Sequence, residues 1–268
     1  MTPSAAPPTA LVTGASAGIG QAFCRQLAAQ GYDIVAVARR TERLTALAEE
    51  LRSVHQVRVT TLTIDLSAAD AIGELLGAVR NIDIEVLINN AGYGVPGRYT
   101  SSPWSVHARF HSVMTTAVAE LTYQLVGPMC ARGRGTIINV ASLAGLLPGS
   151  AGHTLYAASK AWMNRFSESL ALECAAEGVR VCALCPGFTY SEFHDVTGTR
   201  AQVAALPKWL WMSAERVAAE GLRAAAAGRL VYVPGRINRL IAALNDYLPR
   251  RISQAVSRRE SRRFRNLR

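Results

Sequence analysis

The chain has 268 residues, of which 50% are hydrophobic and 18% are charged, so it can bury a core and is unlike a disordered or collagen-like protein. No apolar stretch reaches the roughly 18 residues that a membrane-spanning helix needs. Residues 1–8 have neither the basic nor the apolar part of a secretory signal. We therefore expect a cytoplasmic protein in which residues 1–8 form a flexible leader.

The formal net charge of +10 is concentrated at one end of the chain. Residues 234–268 hold ten arginines against Asp246 and Glu260, so the preceding residues are nearly neutral. A basic tail can contact nucleic acid, acidic lipid or a partner protein, but a solvated helical face is a commoner explanation. Nucleic acid is therefore not favoured as a partner.

Seven apolar runs have the length and composition of β-strands, and amphipathic helical patterns fill most of the gaps between them. The runs are residues 10–13, 33–38, 57–64, 85–88, 136–140, 179–184 and 230–233. Short, continuous apolar runs between helices are typical of a parallel sheet that is covered on both faces. The sequence therefore predicts one doubly wound α/β domain over residues 9–233, with about seven strands and a ligand site at their carboxyl ends.

The five cysteines are scattered, and an odd number without an export signal predicts reduced thiols. Cys182 and Cys185 form a C-x-x-C inside an apolar run, where the period of a strand places them on opposite faces. Buried apolar cysteines are favoured over a metal or redox site. No metal site is expected.

A glycine-rich turn follows the first predicted strand, at Thr13-Gly14-Ala15-Ser16-Ala17-Gly18-Ile19-Gly20, and leads into a helix. Glycine lets the backbone approach a pyrophosphate, whose charge is stabilised by the N–H groups at the helix N-terminus. A tight strand-to-helix turn also uses glycine, so this motif alone leaves both explanations open. The cofactor-binding candidates in the turn are Gly14, Ser16, Ala17, Gly18, Ile19 and Gly20.

The second predicted strand is followed by Arg39 and Arg40. At this place an acidic residue would bind the 2′-hydroxyl of NAD, whereas arginine would bind the 2′-phosphate of NADP. Two arginines favour NADP(H) over NAD(H), although solvated loop arginines are the alternative. Asp65 follows the third strand and could accept a hydrogen bond from an adenine amino group or cap a helix.

Three polar residues after the fifth predicted strand have the spacing of a proton-transfer site. Tyr156 and Lys160 are four residues apart on a predicted helix, so the ammonium can lie beside the phenol and lower its pKa toward working pH. Ser142 can hold a substrate oxygen by a hydrogen bond. Lys160 and Lys208 are the only lysines in the chain, which indicates a specific use of Lys160. Taken singly, each of the three could be an ordinary structural or surface residue.

The motifs together are far more specific than any one of them. The glycine turn, residues 89–92, Ser142, Tyr156 with Lys160, and residues 185–189 resemble, in this order, the short-chain dehydrogenase/reductase family over residues 9–233. The resemblance implies a single Rossmann-type sheet with helices on both faces. It also implies that Tyr156 gives or takes the proton, that Lys160 lowers its pKa and binds the nicotinamide ribose, and that Ser142 orients the substrate.

The resemblance further implies several cofactor contacts. In the family pattern Asp65 and Leu66 flank the adenine, Asn90 lies by the cofactor ribose, and Thr189 contacts the carboxamide side of the nicotinamide. Members of the family often form dimers or tetramers, so the resemblance also implies a homo-oligomer.

Two residues depart from the family pattern. Met114 stands where members often have an asparagine that supports a water chain to the lysine, and methionine cannot make the hydrogen bonds of an amide. Proton relay to solvent could therefore be slower or follow another route. Ala17 stands where NADP-preferring members often have a basic residue, which leaves the 2′-phosphate to Arg39 and Arg40.

Two apolar segments lie outside these motifs. Residues 188–212 occupy the family's substrate-lid region and could cover a hydrophobic substrate or serve as packing. His153 and Leu155 precede Tyr156 and are expected beside the same pocket. Residues 234–268 carry apolar side chains at helical spacing among arginines, so this basic amphipathic extension could lie on an anionic membrane or pack on its own domain or a second subunit.

These observations predict an NADP(H)-dependent oxidoreductase that transfers hydride between the nicotinamide and a carbonyl or secondary alcohol of a hydrophobic substrate, with Tyr156 as general acid/base. The alternative is a cofactor-binding regulatory or scaffold protein with little turnover, which only Met114 supports.

Overall fold

The computed structural model describes residues 7–152, 154–193, 207–249, 251–255 and 257–258. Its strands are β1 (Thr9–Thr13), β2 (Asp33–Ala38), β3 (Val59–Thr63), β4 (Ile84–Asn89), β5 (Gly135–Val140), β6 (Val179–Leu184), β7 (Thr189–Tyr190), β8 (Met212–Ser213) and β9 (Val231–Tyr232). Its α-helices are α1 (Gly18–Ala29), α2 (Thr41–His55), α3 (Ala71–Val79), α4 (Trp104–His111), α5 (Ala117–Ala131), α6 (Thr154–Glu173), α7 (Ala214–Ala226) and α8 (Arg236–Tyr247).

The main sheet is parallel, with the strand order β3-β2-β1-β4-β5-β6-β9. Every residue of β1 and β2 is buried, and strands that are covered on both faces have to be apolar throughout. The predicted doubly wound sheet is confirmed, with strand ends that differ from the prediction by one or two residues. The separate pair of β7 and β8 was not predicted, because two-residue strands are too short to show a period.

Helices cover both faces of the sheet. On one face Val12 packs in a hydrophobic cluster with Phe23 of α1 and Val217 of α7. On the other face the neighbouring residue of the same strand, Leu11, packs in a cluster with Leu75 of α3. This alternation along β1 is the period of two of a strand, and it fixes which side chains face each helical layer.

The order of the strands reverses at β1. From β1 the chain builds β2 and β3 toward one edge of the sheet, and from β4 it builds β5 and β6 toward the other edge. The loops that leave the carboxyl ends of β1 and β4 therefore diverge and form a crevice, which is the place where open α/β sheets bind ligands. The glycine turn follows β1 and Asn90 follows β4, so both lie at this crevice.

The two cysteines of the C-x-x-C lie in different parts of the core. Cys182 belongs to the cluster that includes Phe23, and Cys185 belongs to a separate cluster that includes Met163. Both thiols are free and fully buried, so the prediction of buried apolar cysteines is confirmed.

The helix α8 exposes much of its apolar surface. Its buried residues are Asn238 and Ala242, whereas Ile237, Leu240 and Leu244 are 38%, 59% and 52% exposed. Among the described residues, no helix is both long and apolar enough to cross a membrane.

Several predictions concern residues outside the described ranges. These are the proposed pocket neighbour His153, most of the leader (1–6), the middle of the lid segment (194–206), and the tail residues 250, 256 and 259–268.

Candidate active site

The glycine turn after β1 is held against the end of β4 by a side chain. The Nδ2 of Asn90 donates to the carbonyl oxygens of Thr13 and Gly14, at 3.0 and 3.2 Å. A Cβ on Gly20 would lie 2.3 Å from the Gly14 oxygen and 2.4 Å from that Nδ2. The turn therefore accepts no side chain at Gly20, and Asn90 lies at the crevice as the sequence predicts, with its amide bonded to the turn.

The N-terminus of α1 faces the crevice without a side-chain cap. Its N-cap residue is Ala17, which cannot make a side-chain hydrogen bond, and the first turn of the helix has no acidic residue. The first N–H groups of a helix have no partner within the helix, so this end can receive an anion. Gly18 has a φ of +54°, and a Cβ there would lie 2.8 Å from Cβ of Ser191. The segment after β7 thus lies against the turn.

An ion-pair cluster of Arg40, Arg43 and Glu192 lies beside the turn, and the sequence predicted only one of its three members. Arg40 donates from Nε and Nη2 to Oγ of Ser16, at 3.2 and 3.1 Å. Its Nη1 donates to the Glu192 carboxylate at 2.7 Å, and Nη1 of Arg43 donates to the other oxygen of that carboxylate at 2.5 Å. These hydrogen bonds from two arginines hold the pKa of Glu192 below its usual value. Arg40 is where the sequence predicts it, but Arg43 and Glu192 were missed.

A cavity of about 550 Å³ opens between the glycine turn, α2 and the segment after β7. It is lined by residues that include Ser16, Gly18, Arg43, Tyr190 and Glu192. The ion-pair cluster therefore borders open space next to the turn.

The outer rim of the crevice carries Arg39, Asp65 and Leu66. Arg39 is largely exposed, with Nη1 4.0 Å from Oδ2 of Asp65. The other carboxylate oxygen of Asp65 accepts from N and Oγ of Ser67, at 3.0 and 2.8 Å. Chiefly because of the backbone bond from Ser67, the pKa of Asp65 is lowered. Leu66 is half-buried, so these three residues lie together at the ends of β2 and β3.

Ser142, Tyr156 and Lys160 meet at the end of β5. Ser142 lies close enough to the Tyr156 phenol to lower its pKa, and Oγ of Ser142 accepts from N of Ala144 at 3.1 Å. Lys160 donates from Nζ to the carbonyl oxygen of Val140 at 2.6 Å, and this Nζ lies 5.8 Å from the centre of the Tyr156 ring. The four-residue spacing thus places the ammonium beside the phenol, as predicted.

The expected lowering of the Tyr156 pKa is not what this structure gives. Burial raises the pKa of the Tyr156 phenol to about 12, and the neighbouring Ser142 side chain opposes that rise. Burial also lowers the pKa of Lys160, to about 8. The reason is desolvation, which disfavours the charged form of each group.

The two ends of the lid segment pack as an aromatic group. Trp211 stacks on Tyr190 at 5.0 Å between ring centres and lies 5.5 Å from Phe188. Phe193 places its ring 5.5 Å from that of Tyr156. Phe193 was not predicted as a site residue, and it brings the lid segment directly to the phenol.

Thr189 begins β7 and is buried at the carboxyl-end face of the sheet. Its Oγ1 donates to the carbonyl oxygen of Gly187 at 3.1 Å. The predicted nicotinamide contact thus lies just before Ser191, which packs on the glycine turn.

Met114 lies in a π-helical turn, Ser112–Thr116, that joins α4 to α5. It is fully buried, and a Cβ on Gly92 would lie 2.9 Å from its Sδ. The methionine therefore fills the space beside the segment after β4, where it offers packing and no amide hydrogen bond.

The comparison with known families agrees with this geometry. Residues 8–201 match the family model of the short chain dehydrogenases. The chain belongs to the short-chain dehydrogenase family. The family, the fold and the enzyme class that the sequence predicts are therefore confirmed, and the protein is an oxidoreductase that acts on CH–OH or C=O groups with an NAD(P) cofactor.

Individual relatives give the range of the similarity. Nodulation protein G of Rhizobium sp. (strain N33) is 40% identical over 207 residues, which are 74% of this chain and 81% of that protein. A 7β-hydroxysteroid dehydrogenase of Mediterraneibacter gnavus is 30% identical over 179 residues, which are 67% of this chain and 68% of that protein. The solved structure of a short-chain dehydrogenase from Sphingobium yanoikuyae in complex with NADPH has a TM-score of 0.79 and 29% identity, and covers 90% of this chain and 96% of that one.

Proposed function

We propose that this protein is an NADP(H)-dependent oxidoreductase that interconverts a carbonyl and a secondary alcohol on a hydrophobic substrate, with Tyr156 as the general acid/base. The observation that carries the proposal is the meeting of Ser142, Tyr156 and Lys160 at one place, with the buried Lys160 ammonium 5.8 Å from the centre of the phenol ring. Residues 9–233 are the catalytic domain in this proposal, and residues 234–268 are its extension.

Each of the three residues has a separate task. Ser142 holds the substrate oxygen by a hydrogen bond. In the reductive direction the Tyr156 hydroxyl donates its proton to that oxygen, and the Lys160 ammonium stabilises the phenolate that remains. In the oxidative direction the phenolate takes the proton back from the alcohol. A bound nicotinamide supplies or accepts the hydride at the reacting carbon.

The crevice fits a nicotinamide dinucleotide. The N-terminus of α1 is uncapped and non-acidic, and the turn before it has glycine where a Cβ would clash. In the proposal the residues of the turn (Gly14, Ser16, Ala17, Gly18, Ile19 and Gly20) would hold the pyrophosphate. Asp65 and Leu66 would hold the adenine, Asn90, Tyr156 and Lys160 the riboses, and Thr189 the nicotinamide.

The preference for NADP(H) rests on the arginines. Arg40 and Arg43 together hold a carboxylate beside the turn. Arg39 is 63% exposed, and its pair with Asp65 is long, at 4.0 Å, so its side chain can turn toward an adenosine phosphate. Charge-assisted hydrogen bonds from arginine are the usual means of holding a phosphate. The NADPH complex of the Sphingobium yanoikuyae relative supports the same choice.

Titration of the protein with NADPH and NADH tests this choice without a substrate. Energy transfer from tryptophan to the reduced nicotinamide reports binding, and we expect NADPH to bind about tenfold more tightly or better. Equal affinities would contradict the arginine assignment. Binding of neither cofactor would contradict the oxidoreductase proposal as a whole.

A hydrophobic substrate is favoured by the aromatic surroundings of Tyr156. Phe193 lies against its ring, and Phe188, Tyr190 and Trp211 form the adjoining group. A relative with 30% identity is named for a hydroxysteroid. A panel of ketones with apolar groups of increasing size, assayed by NADPH oxidation, tests the assignment, and activity confined to small polar ketones would contradict it.

We do not favour the scaffold alternative, because Ser142, Tyr156 and Lys160 are all present and meet in one place. The buried Met114 leaves these contacts intact.

We also propose that this cytoplasmic protein contacts anionic membrane through α8. Leu240, Leu244 and Tyr247 are 59%, 52% and 88% exposed on a helix that begins at Arg236 and belongs to an arginine-rich tail. Exposed apolar residues among basic ones bind anionic lipid surfaces. Flotation with phosphatidylglycerol vesicles should carry the wild type and lose a Leu240→Ser/Leu244→Ser variant, with phosphatidylcholine vesicles as control. Equal flotation of both proteins would contradict the assignment to α8.

A homo-oligomer, dimer or tetramer, is proposed from the family resemblance. Light scattering after size exclusion gives the mass directly, and a monomer at micromolar concentration would contradict it.

A further inference from the structure

Two cysteines that are far apart in sequence meet at the end of the molecule opposite the active site. Cys130 lies in the last turn of α5, Cys174 directly follows α6, and Glu177 ends the short 3₁₀ turn Ala175–Glu177. Their Sγ atoms and a carboxylate oxygen all lie within 4.8 Å of one another. The Cys130 thiol lies close enough to the Cys174 thiol to raise its pKa, in addition to the larger effect of burial. Neither the mechanism nor the cofactor site uses these groups.

The distances suit a small cation with soft ligands. Two thiolates bound to a tetrahedral Zn²⁺ at about 2.3 Å lie about 3.8 Å apart, and a carboxylate oxygen at about 2.0 Å fits beside them. The three groups therefore need only side-chain rotation to reach a common ion. Cys174 is buried, Cys130 is half-buried and Glu177 is exposed, so a fourth position faces solvent and can hold water.

The electrostatic surroundings favour a cation. Together with burial, the carboxylates of Glu177 and Glu173 raise the pKa of the Cys174 thiol. A bound divalent cation would favour the thiolate and so lower that pKa. The carboxyl ends of α5 and α6 lie here, and the carboxyl end of a helix carries partial negative charge. The basic residues that follow α5 are engaged elsewhere: Arg132 pairs with Asp83, and Arg134 pairs with Glu85.

We propose that Cys130, Cys174 and Glu177 bind a Zn²⁺-type cation, with water as fourth ligand. Both thiols lose their protons to solvent when the ion binds. Cys174 lies about 27 Å from Tyr156 along α6, at about 1.5 Å per residue. The ion therefore ties the ends of α5 and α6 together and stabilises the fold, and takes no part in hydride transfer.

Cobalt titration under a non-thiol reductant tests the proposal on the full chain. We expect one equivalent of Co²⁺ to give the thiolate charge-transfer band and the visible bands of a tetrahedral site, and Zn²⁺ to displace it, since Zn²⁺ binds such sites more tightly. Cys130→Ser and Cys174→Ser should lose the charge-transfer band. Glu177→Gln should weaken Zn²⁺ binding by about tenfold or more, whereas its matched control Glu173→Gln should bind nearly as the wild type does.

A second readout separates a metal site from two packed thiols. Zn²⁺ should raise the melting temperature of the wild type and of Cys24→Ala, which removes a cysteine elsewhere, and should raise that of Glu177→Gln by less at the same Zn²⁺ concentration. Because Glu177 is exposed, Glu177→Gln should fold even if the two cysteine variants do not. Absence of a thiolate band in the wild type, or equal Zn²⁺ affinity of Glu177→Gln and Glu173→Gln, would overturn the proposal.

Discussion

The two ends of the cofactor crevice are built in opposite ways. At the catalytic end, Lys160 is 4% exposed and donates to a strand carbonyl at 2.6 Å. At the adenosine end, the side chains of Arg40, Arg43 and Glu192 are 41%, 47% and 39% exposed, and both arginines pair with Glu192. One end is part of the buried framework, and the other is an ion-pair cluster in contact with solvent.

This difference decides what a substitution should do. Exposed ion pairs contribute little to stability and are screened by salt, so changes at the adenosine end should alter affinity for the cofactor and leave the reaction step intact. A buried group that moves a proton has no substitute in solvent, so changes at the catalytic end should remove the reaction step.

The largest effect is expected for Tyr156→Phe. Loss of the phenolic proton should lower kcat by about a thousandfold, while NADPH binding, measured by energy transfer, should change little. Tyr190→Phe is the matched control, because Tyr190 lies in the neighbouring aromatic group and is half exposed. If Tyr156→Phe kept a tenth or more of the activity, the general acid/base would have to be another residue.

The catalytic end could be predicted from the sequence because its pattern is local. Tyr156 and Lys160 are four residues apart on one helix, and the glycine turn is continuous in the chain. Buried parallel strands are likewise continuous apolar runs, which is why the sheet was predicted nearly to the residue. The pKa of Tyr156 was predicted in the wrong direction, since it depends on burial, and burial is a property of the whole fold.

The next effect is expected for Lys160→Met, and it has two parts. Loss of the ammonium should lower kcat by about a hundredfold. Burial lowers the pKa of Lys160 from 10.5 to about 8, so between these values the unfolded chain binds more protons than the folded one. The contribution of Lys160 to stability should therefore rise with pH across this window, by on the order of 2 kcal/mol. The buried cysteines, whose pKa values are raised, contribute in the opposite direction above about pH 9, so the rise is measured as a difference between the wild type and a variant.

Urea unfolding at about pH 7 and about pH 10 measures this rise. Between these pH values the stability of Lys160→Met should fall relative to that of the wild type, whereas the stability of Lys208→Met, which removes an exposed lysine, should follow that of the wild type. An equal change with pH in both variants would show that Lys160 is not the titrating group.

The adenosine end shows what sequence alone could not supply. Arg40 is 152 positions from Glu192, and no local pattern links a lid residue to an arginine after the second strand. Ser191 and Phe193 were missed for the same reason, because the fold brings the segment after β7 onto the glycine turn. Cys130 and Cys174 meet only because α5 and α6 end at the same side of the sheet.

A smaller effect is expected for Arg40→Ala. Loss of the charge-assisted hydrogen bonds to the 2′-phosphate should weaken NADPH binding by about 10- to 100-fold and leave NADH binding nearly unchanged. Arg165→Ala, which removes an exposed arginine on α6, is the control. If Arg40→Ala weakened the binding of NADPH and NADH equally, Arg40 would instead contact the pyrophosphate or support the glycine turn.

The smallest effect, and the one that most sharpens the comparison, is expected for Glu192→Gln. The Glu192 carboxylate is held by Arg43 and by Arg40, one of the two arginines proposed for the 2′-phosphate, so the carboxylate and the phosphate should compete for Arg40. Removing the charge should tighten NADPH binding by about threefold to tenfold, since an exposed ion pair contributes at most about 1 kcal/mol. NADH binding should not change, because NADH has no phosphate there.

Added salt and a matched carboxylate complete this test. Glu215 lines the same cavity as Glu192, and Glu215→Gln should leave NADPH affinity near that of the wild type. Salt screens both the internal pair and the phosphate contact, so the advantage of Glu192→Gln over the wild type should shrink as ionic strength rises. Weaker NADPH binding by Glu192→Gln would mean that the carboxylate orients the arginines for the phosphate and does not compete with it.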